Sequence, residues 1–523
     1  MVFALLVLAF CLPAGMALER AVRTGGAPAD PLRGREGIAA AIPAGIGLAI
    51  RFAAHLCLLL ACFGLAWRPV LAGAAYLGIV GGLAAASRIK HRIMRENVVF
   101  SDLLLVRTII RHPRLYYVSF SDPRVVLAVA GLGAAAVAWL VLEPSLLVSG
   151  ARAFVLAPLP LLAGLAGLWG TAFAGARPVA RAALLRDNPT VAIDAAIDAV
   201  GLLASLLTLW GEWIRMERPP EAVRAHAQPD DGRPAPGAGA GLAPLVIAIQ
   251  CESFINPAGR GLAAPGLAAF EAASATAVHA GRLHVPAFAA NTMRAEFAFL
   301  SGLPNRALGC DRFNPYLTAP AYADVVWPAR LRAAGWRTVF AHPYDRRFFE
   351  RDRVVPALGF EATRWQEDFA DAARRGHYVA DVEVARLLLR EAEAARGPTF
   401  VFAVTMENHG PWGAGRLPGL DRPVDQYLHH LQGSDAMVAA LMAGLRHRAG
   451  PTLLCLYGDH VPALSGLGPE AEAGLTDFVI VDPTGRTPPG VSRDPRRVED
   501  LLSLCLAALP EPTAMPRARA PAR

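Results

Sequence analysis

The sequence predicts a polytopic α-helical membrane domain followed by an α/β domain whose mostly parallel sheet is covered by helices on both faces. Three observations predict it. Long Ala/Leu/Val/Gly runs are confined to the first 214 of 523 residues. A Pro/Gly/Ala-rich stretch with neither helical nor strand periodicity follows them. Beyond it, short and nearly continuous apolar runs alternate with helical stretches, which is how strands buried on both faces by crossover helices read.

Apolar runs long enough to cross a bilayer lie near 2–18, 45–66, 69–87, 125–148, 153–174 and 191–210. They give about six helices in a membrane domain over 1–215. The first run is short enough for a signal sequence, but no basic residue precedes it. Loop charge then orients the helices. Arg20, Arg23, Arg33 and Arg35 follow the first run, and Arg88, Lys90, Arg92, Arg95, Arg107, Arg111 and Arg114 follow the third. Arg177, Arg181 and Arg186 follow the fifth, whereas the connections around 67–69 and 143–152 are nearly uncharged. Positive loops stay in the cytoplasm, so the alternation exports everything after Trp210, with Trp210 and Trp213 as anchors at the outer interface. Asp194 and Asp198 are expected in the first turns of the sixth helix, where the helix dipole favours them.

Residues 216–243 read as a mobile linker, 244–510 as the exported catalytic domain, and 511–523 as a disordered tail. The net charge of +7 does not indicate nucleic-acid binding, because no basic stripe interleaved with aromatics accompanies it. Seven cysteines follow no metal or redox spacing. Cys251 and Cys455 read as small buried hydrophobes, and a disulfide among Cys251, Cys310, Cys455 and Cys505 is left open.

In the second half, strands are expected at 245–251, 338–341, 399–405, 452–456 and 478–481, and helices at 292–301, 325–334, 381–395, 424–446 and 497–507. Parallel sheets bind ligands beyond the carboxyl ends of their strands, and polar residues collect there: Glu252, His342, Asn408-His409 and Asp459-His460. Each has an ordinary alternative. Glu252 could cap a helix, and the two lone histidines could be plain loop residues. Together, Glu252, Asp459 and His460 offer two oxygens and one nitrogen to a divalent cation with an open position. Thr292, at the start of an apolar helix, would fill that position, although by itself it reads as an N-cap. Cation binding lowers the pKa of a hydroxyl and makes it a competent nucleophile. His342, His409 and Arg351 then neutralise an anionic substrate and handle protons. The set is a kit for phosphoryl transfer through a covalent intermediate.

Five segments carry a resemblance: Ile-Gln-Cys-Glu-Ser-Phe at 249–254, Asn-Thr-Met-Arg-Ala-Glu-Phe with Leu-Ser-Gly-Leu at 291–303, and Ala-His-Pro-Tyr through Phe-Phe-Glu-Arg-Asp at 341–352. Met-Glu-Asn-His-Gly-Pro-Trp at 406–412 and Tyr-Gly-Asp-His at 457–460 complete it. In this order the chain resembles the lipoteichoic-acid synthase and membrane phosphoglycerol transferase branch of the alkaline phosphatase/sulfatase superfamily. The resemblance implies a sulfatase-like α/β fold over about 245–482. It implies a metal site of Glu252, Thr292, Asp459 and His460 holding one Mn2+ or Mg2+, with Zn2+ as an alternative. It makes Thr292 the nucleophile and His409 its catalytic partner, with His342, Arg351 and His409 binding substrate. A phospholipid such as phosphatidylglycerol would donate phosphoglycerol to an envelope glycan or polymer, from the outer face of a bacterial inner membrane. Asn256 stands where the family often has Asp, and 343–347 departs from the family's Gly/Asn-rich version, which bears on head-group and acceptor preference. No Cys-x-Pro-x-Arg or Ser-x-Pro-x-Arg lies near 292, so sulfate-ester hydrolysis through formylglycine is not expected. The alternatives are a phosphoethanolamine transferase, or a non-catalytic envelope-binding module that kept the fold. The Ala/Arg/Gly/Pro-rich composition suits a GC-rich genome, and with it a Gram-negative polysaccharide acceptor.

Overall fold

The computed structural model describes residues 2–20, 43–105, 123–147, 155–226, 243–464 and 473–509, with 22, 111, 112, 115 and 467, and without 176, 187, 259, 261–263, 414, 465–466 and 491–492. The tail expected at 511–523 and most of the expected linker, 227–242, lie outside the described residues. The described start of the linker contains a short helix, Glu221–His226. The chain divides into one unit of Met1–Glu217 with Gly309–Phe313, and a second of Arg218–Leu308 with Asn314–Arg523.

In the first unit, apolar sequence gives helices over all six expected runs. Among the described residues, two of them, Ala44–Ala66 and Pro69–Met94, are long and apolar enough to cross a membrane. Counting each bent helix pair as one span raises the number to four. The run expected as a sixth crossing is two helices, Pro189–Val200 and Leu202–Arg215, bent by 120°. The break is at Gly201, whose φ of +85° is available to glycine without a Cβ penalty. Glu19 holds it there: its carboxylate accepts the backbone N–H of Leu203 at 2.6 Å, within the first turn after the break. The segment Gly309–Phe313 meets the end of the second helix of the pair and the helix Arg177–Leu184 that precedes the first. Trp213 Nε1 donates to Asp311 Oδ1 at 2.8 Å, and Arg312 Nη2 donates to the carbonyl of Leu184 at 3.0 Å. Residues 191–210 are therefore not one straight crossing, and the alternation of loop charge loses its last step. Trp213 packs on Phe100 with ring centroids 5.5 Å apart, and Asp194 accepts from Asn97 Nδ2 at 2.7 Å.

In the second unit the strands are β1 (Leu245–Cys251), β2 (His279–His284), β3 (Arg337–Ala341), β4 (Ala362–Arg364), β5 (Thr399–Val404), β6 (Thr452–Gly458), β7 (Leu475–Val481) and β8 (Arg496–Arg497), the central ones built from apolar runs. They make one sheet in the order β8-β2-β7-β6-β1-β5-β3-β4. Only β7 runs against its neighbours. Every residue of β1 and β6 is buried, because helices cover both faces. On one face Leu245, Ile247 and Ile249 pack with Leu388 of the helix Asp381–Ala394 and Leu441 of the helix Pro423–Leu445. On the other, Phe299 of the helix Thr292–Ser301 stacks on Phe402 of β5 and Tyr457 of β6, with centroids 5.2 and 5.0 Å apart. Each fully buried aliphatic side chain contributes about 1.5–3 kcal/mol, so the strand ends that carry the polar residues stand on a rigid base. All seven cysteines are free thiols, which closes the question of a disulfide.

Candidate active site

The carboxyl ends of the parallel strands bring the polar residues to one edge. Glu252 follows β1, His342 follows β3, Asp459-His460 follow β6, and Glu407-Asn408-His409 follow β5 by a short turn. Gly458 makes the closest approach possible: a Cβ there would lie 2.0 Å from the carbonyl oxygen of Phe254. The glycine of Tyr-Gly-Asp-His is thus what lets the chain after β1 pass beside the chain after β6.

Glu252, Asp459 and His460 offer ligand atoms that all lie within 4.8 Å of one another, and all three residues are buried. Their orientation is fixed from behind. Asp459 Oδ1 accepts the backbone N–H of Ser253 at 2.8 Å and that of His460 at 2.9 Å. Asp459 Oδ2 is buried without a hydrogen-bond partner. His460 Nδ1 donates to the carbonyl of Val461 at 3.1 Å, which turns the Nε2 lone pair toward Asp459 Oδ2 at 3.3 Å and Glu252 Oε1 at 3.5 Å. The His460 lone pair and the two carboxylate oxygens repel one another unless a proton or a cation joins them. Burial, then the charge of Asp459, pushes the Glu252 carboxyl up to about 8. The donor set fits a divalent cation.

Thr292 is the first residue of its helix, and the cap position belongs to Asn291, in the left-handed region at φ 64°. The Thr292 hydroxyl therefore does not cap, and it has no hydrogen-bond partner among the described residues. Its backbone is tied to the same edge: Gln250 Nε2 donates to the Thr292 carbonyl at 3.3 Å, and Gln250 Oε1 accepts from Tyr457 Oη at 2.7 Å. Gln250 and Tyr457 stand two residues before Glu252 and Asp459, on the same faces of β1 and β6. Non-glycine residues at positive φ flank the site. They are Ser253 beside Glu252, Ala289 and Asn291 before Thr292, and Phe349 and Glu350 before Arg351. Such conformations cost about 1–3 kcal/mol each and persist where the surroundings over-determine them.

Arg351 is 1% exposed. Its Nη2 and Nε donate to Glu296 at 2.6 and 3.3 Å, and its Nη1 lies 3.4 Å from His342 Nε2. Tyr316 Oη donates to the same Glu296 carboxylate. His342 Nδ1 donates to the carbonyl of Val404 at 3.0 Å. Burial, reinforced by the Arg351 charge, holds His342 well below the ordinary imidazole range. His409 Nδ1 donates to the carbonyl of Gly410 at 2.6 Å, and burial brings its pKa down to about 4. Both imidazoles are neutral at physiological pH; the Nε2 of His342 accepts from Arg351, and the Nε2 of His409 is that ring's basic atom.

Glu296, Tyr316, Gln250 and Tyr457 are site residues that sequence reasoning missed. Their signals were present. Glu296 lies four residues after Thr292 on one helix face, and Gln250 is a polar residue in an otherwise apolar strand, two before Glu252.

Residues 244–509 match the sulfatase family. The capsular polysaccharide biosynthesis protein RkpI of Rhizobium meliloti is 35% identical over 453 residues, 84% of this chain and 81% of that one. Among solved structures, the integral membrane lipooligosaccharide phosphoethanolamine transferase A of Neisseria meningitidis is 13% identical with a TM-score of 0.51, over 96% of this chain and 95% of that one. The Streptococcus pyogenes phosphoglycerol transferase GacH is 18% identical with a TM-score of 0.43, over 55% and 78%. From fold, strand-edge chemistry and kinship together, the chain belongs to the sulfatase family.

Proposed function

We propose that this protein is a metal-dependent phosphotransferase of the bacterial inner membrane, moving a phosphoglycerol head group from a phosphatidylglycerol-like lipid to an envelope glycan. The observation that carries this reading is the buried trio Glu252, Asp459 and His460, with the unpartnered Asp459 Oδ2, on the strand edge that also anchors Thr292. The trio would hold Mn2+ or Mg2+, or Zn2+ in its place. A cation there supplies Lewis acidity, bringing a hydroxyl pKa toward neutrality and offsetting phosphate charge.

The Thr292 oxygen attacks the phosphorus of the donor lipid. An Oγ–P bond forms as the hydroxyl proton passes to the His409 imidazole, the P–O bond to diacylglycerol breaks, and the diacylglycerol oxygen takes that proton from His409. An acceptor hydroxyl then attacks the phosphothreonine, its proton passing to the neutral imidazole of His409; the P–Oγ bond breaks, and the Thr292 oxygen takes that proton back as an alcohol. Arg351, aligned by Glu296 and linked through Nη1 to His342, offers its guanidinium charge to the phosphate oxygens. The name of the Rhizobium relative supports a polysaccharide acceptor. A polysaccharide acceptor in turn supports a periplasm-facing catalytic half, since loop charge does not carry that orientation once residues 191–210 fold back at Gly201.

The test is turnover of phosphatidylglycerol and of phosphatidylethanolamine by the full-length protein and by Thr292→Ala, with the mass of any group retained on the wild-type Thr292 peptide. Glycerol phosphate on Thr292 is expected, and ethanolamine phosphate would replace the donor. Wild-type turnover by the alanine variant would remove the nucleophile.

A further inference from the structure

We propose that Arg416 is a positioning residue for His409, setting the imidazole by gripping the loop that carries it. The inference rests on the reading of His409 as the group that takes the acceptor proton. Arg416 is buried. Its Nη2 donates to the carbonyl of Glu407 at 2.7 Å, and its Nη1 donates to the carbonyl of His409 and, at 3.3 Å, to that of Pro411. A guanidinium is planar with its N–H groups in a fixed fork. One fork holding three carbonyls therefore locks residues 407–411 as a single piece.

The fork is itself seated. It lies over the Tyr378 ring, 5.4 Å from the centroid, and that ring meets the His409 ring edge-on at 5.9 Å. Gly376, at φ +63°, packs against the same side chain, so that a Cβ there would come 3.2 Å from Arg416 Nε. His409 in turn binds its own loop, through Nδ1 to the carbonyl of Gly410. The direction of Nε2 is thus fixed through the backbone, and what holds the backbone aims the base.

The loop is also tied at its start, where the Glu407 carboxylate accepts from the Asp381 N–H at 2.7 Å and from His430 Nδ1 at 3.2 Å. That anchor fixes residue 407 alone. Arg416 carries the constraint on to 409 and 411. The three carbonyls it holds lie outside the trio of Glu252, Asp459 and His460, so its removal should separate aim from metal binding.

The experiment uses the full-length protein and Arg416→Ala, with and without added guanidinium chloride, and sodium chloride as the salt control. A misaimed base lowers kcat by about 100-fold, with KM for the donor lipid within a factor of two and metal stoichiometry unchanged. Guanidinium, binding in the vacated fork, restores a large part of kcat where sodium chloride does not. Arg416→Lys, a point donor, stays near the alanine variant. Hydrogen exchange over 405–413 accelerates in Arg416→Ala and slows again with guanidinium. This readout needs no donor lipid. Exchange in 405–413 indifferent to the substitution, or not reversed by guanidinium, overturns the anchoring. Reversible exchange with an unchanged kcat in Arg416→Ala overturns the positioning role while leaving the phosphotransferase reading in place. A wild-type protein that turns over neither lipid overturns that reading instead, and the exchange result still decides the anchoring.

Discussion

Replacing Glu296 by alanine tests the most demanding electrostatic arrangement in the catalytic unit. Glu296 and Arg351 are 0% and 1% exposed, with their closest atoms 2.6 Å apart. Removing the carboxylate leaves a guanidinium that cannot shed its proton buried without its counter-charge, and takes from Tyr316 its acceptor. Breaking a buried pair in this way costs about 3–5 kcal/mol. At 1.4 kcal/mol per factor of ten, local opening of the helix Thr292–Ser301 and the helix Arg351–Ala357 should become about 10²–10⁴ times more frequent. The assay is hydrogen exchange by mass spectrometry on the full-length protein in detergent, read on peptides from those two helices. Exchange over 423–445, on the opposite face of the sheet, serves as the internal reference. Glu296→Met combined with Arg351→Met should recover most of the protection, since apolar side chains of similar volume replace a buried ion pair at little cost. A loss of protection under tenfold in Glu296→Ala, or a double variant no better protected than the single one, would refute the reasoning. It would mean that Arg351 is solvated, or already satisfied elsewhere.

Four further outcomes follow from the same geometry. Asp459→Asn removes one donor of the trio, and metal content after dialysis should fall far below that of the wild type; equal content would place the cation elsewhere. The Glu252 carboxyl, held up at about 8, takes a proton in the metal-free protein that a bound cation must displace. Apparent metal affinity should therefore rise about tenfold per pH unit up to that value and flatten above it, with about one proton released in calorimetry across buffers. The same shift fixes the sign for stability. Between the ordinary carboxylate value and about 8 the folded apo-protein binds more protons than the unfolded chain, so its melting temperature should fall as pH rises through that window. Gly433→Ala in the helix Pro423–Leu445 would ordinarily stabilise by about 1 kcal/mol. Here a Cβ would lie 2.3 Å from Glu407 Oε1, so a destabilisation of about 1–3 kcal/mol is expected by thermal melting.

The parts of the fold that were legible in the sequence are those whose residues are buried on both sides. β1, β5 and β6 are continuous aliphatic runs because helices cover both faces, and their ends could be read directly as the edge of a parallel sheet. β2, His-Ala-Gly-Arg-Leu-His, was not legible. It lies near the sheet edge with half-exposed positions, so polar residues interrupt it. The two-residue β8 and three-residue β4 are too short to impose any period. The membrane half shows the converse. Composition marks 191–210 as apolar, but hydropathy averages over Gly201 and cannot register that its φ is positive, nor that Glu19 accepts the amide two residues later.

The site divides along the same physical line. Its reactive groups announce themselves because a strand end is where an apolar run abruptly gives way to Glu, Asp or His. The groups that aim them do not. Gln250 reaches the Thr292 carbonyl, and Tyr457 holds Gln250, through side chains inside buried strands, and Arg416 acts on carbonyls, which every residue possesses and no residue type advertises. An arginine that pairs with a carboxylate can be guessed from charge patterning, as Glu296 and Arg351 could have been. An arginine whose partners are three backbone oxygens leaves no complementary residue to find. The specificity of an edge built from common catalytic parts therefore rests on contacts that only the folded backbone defines, which is why the Arg416 and Glu296 variants are sharper tests of this reading than another substitution in the metal trio.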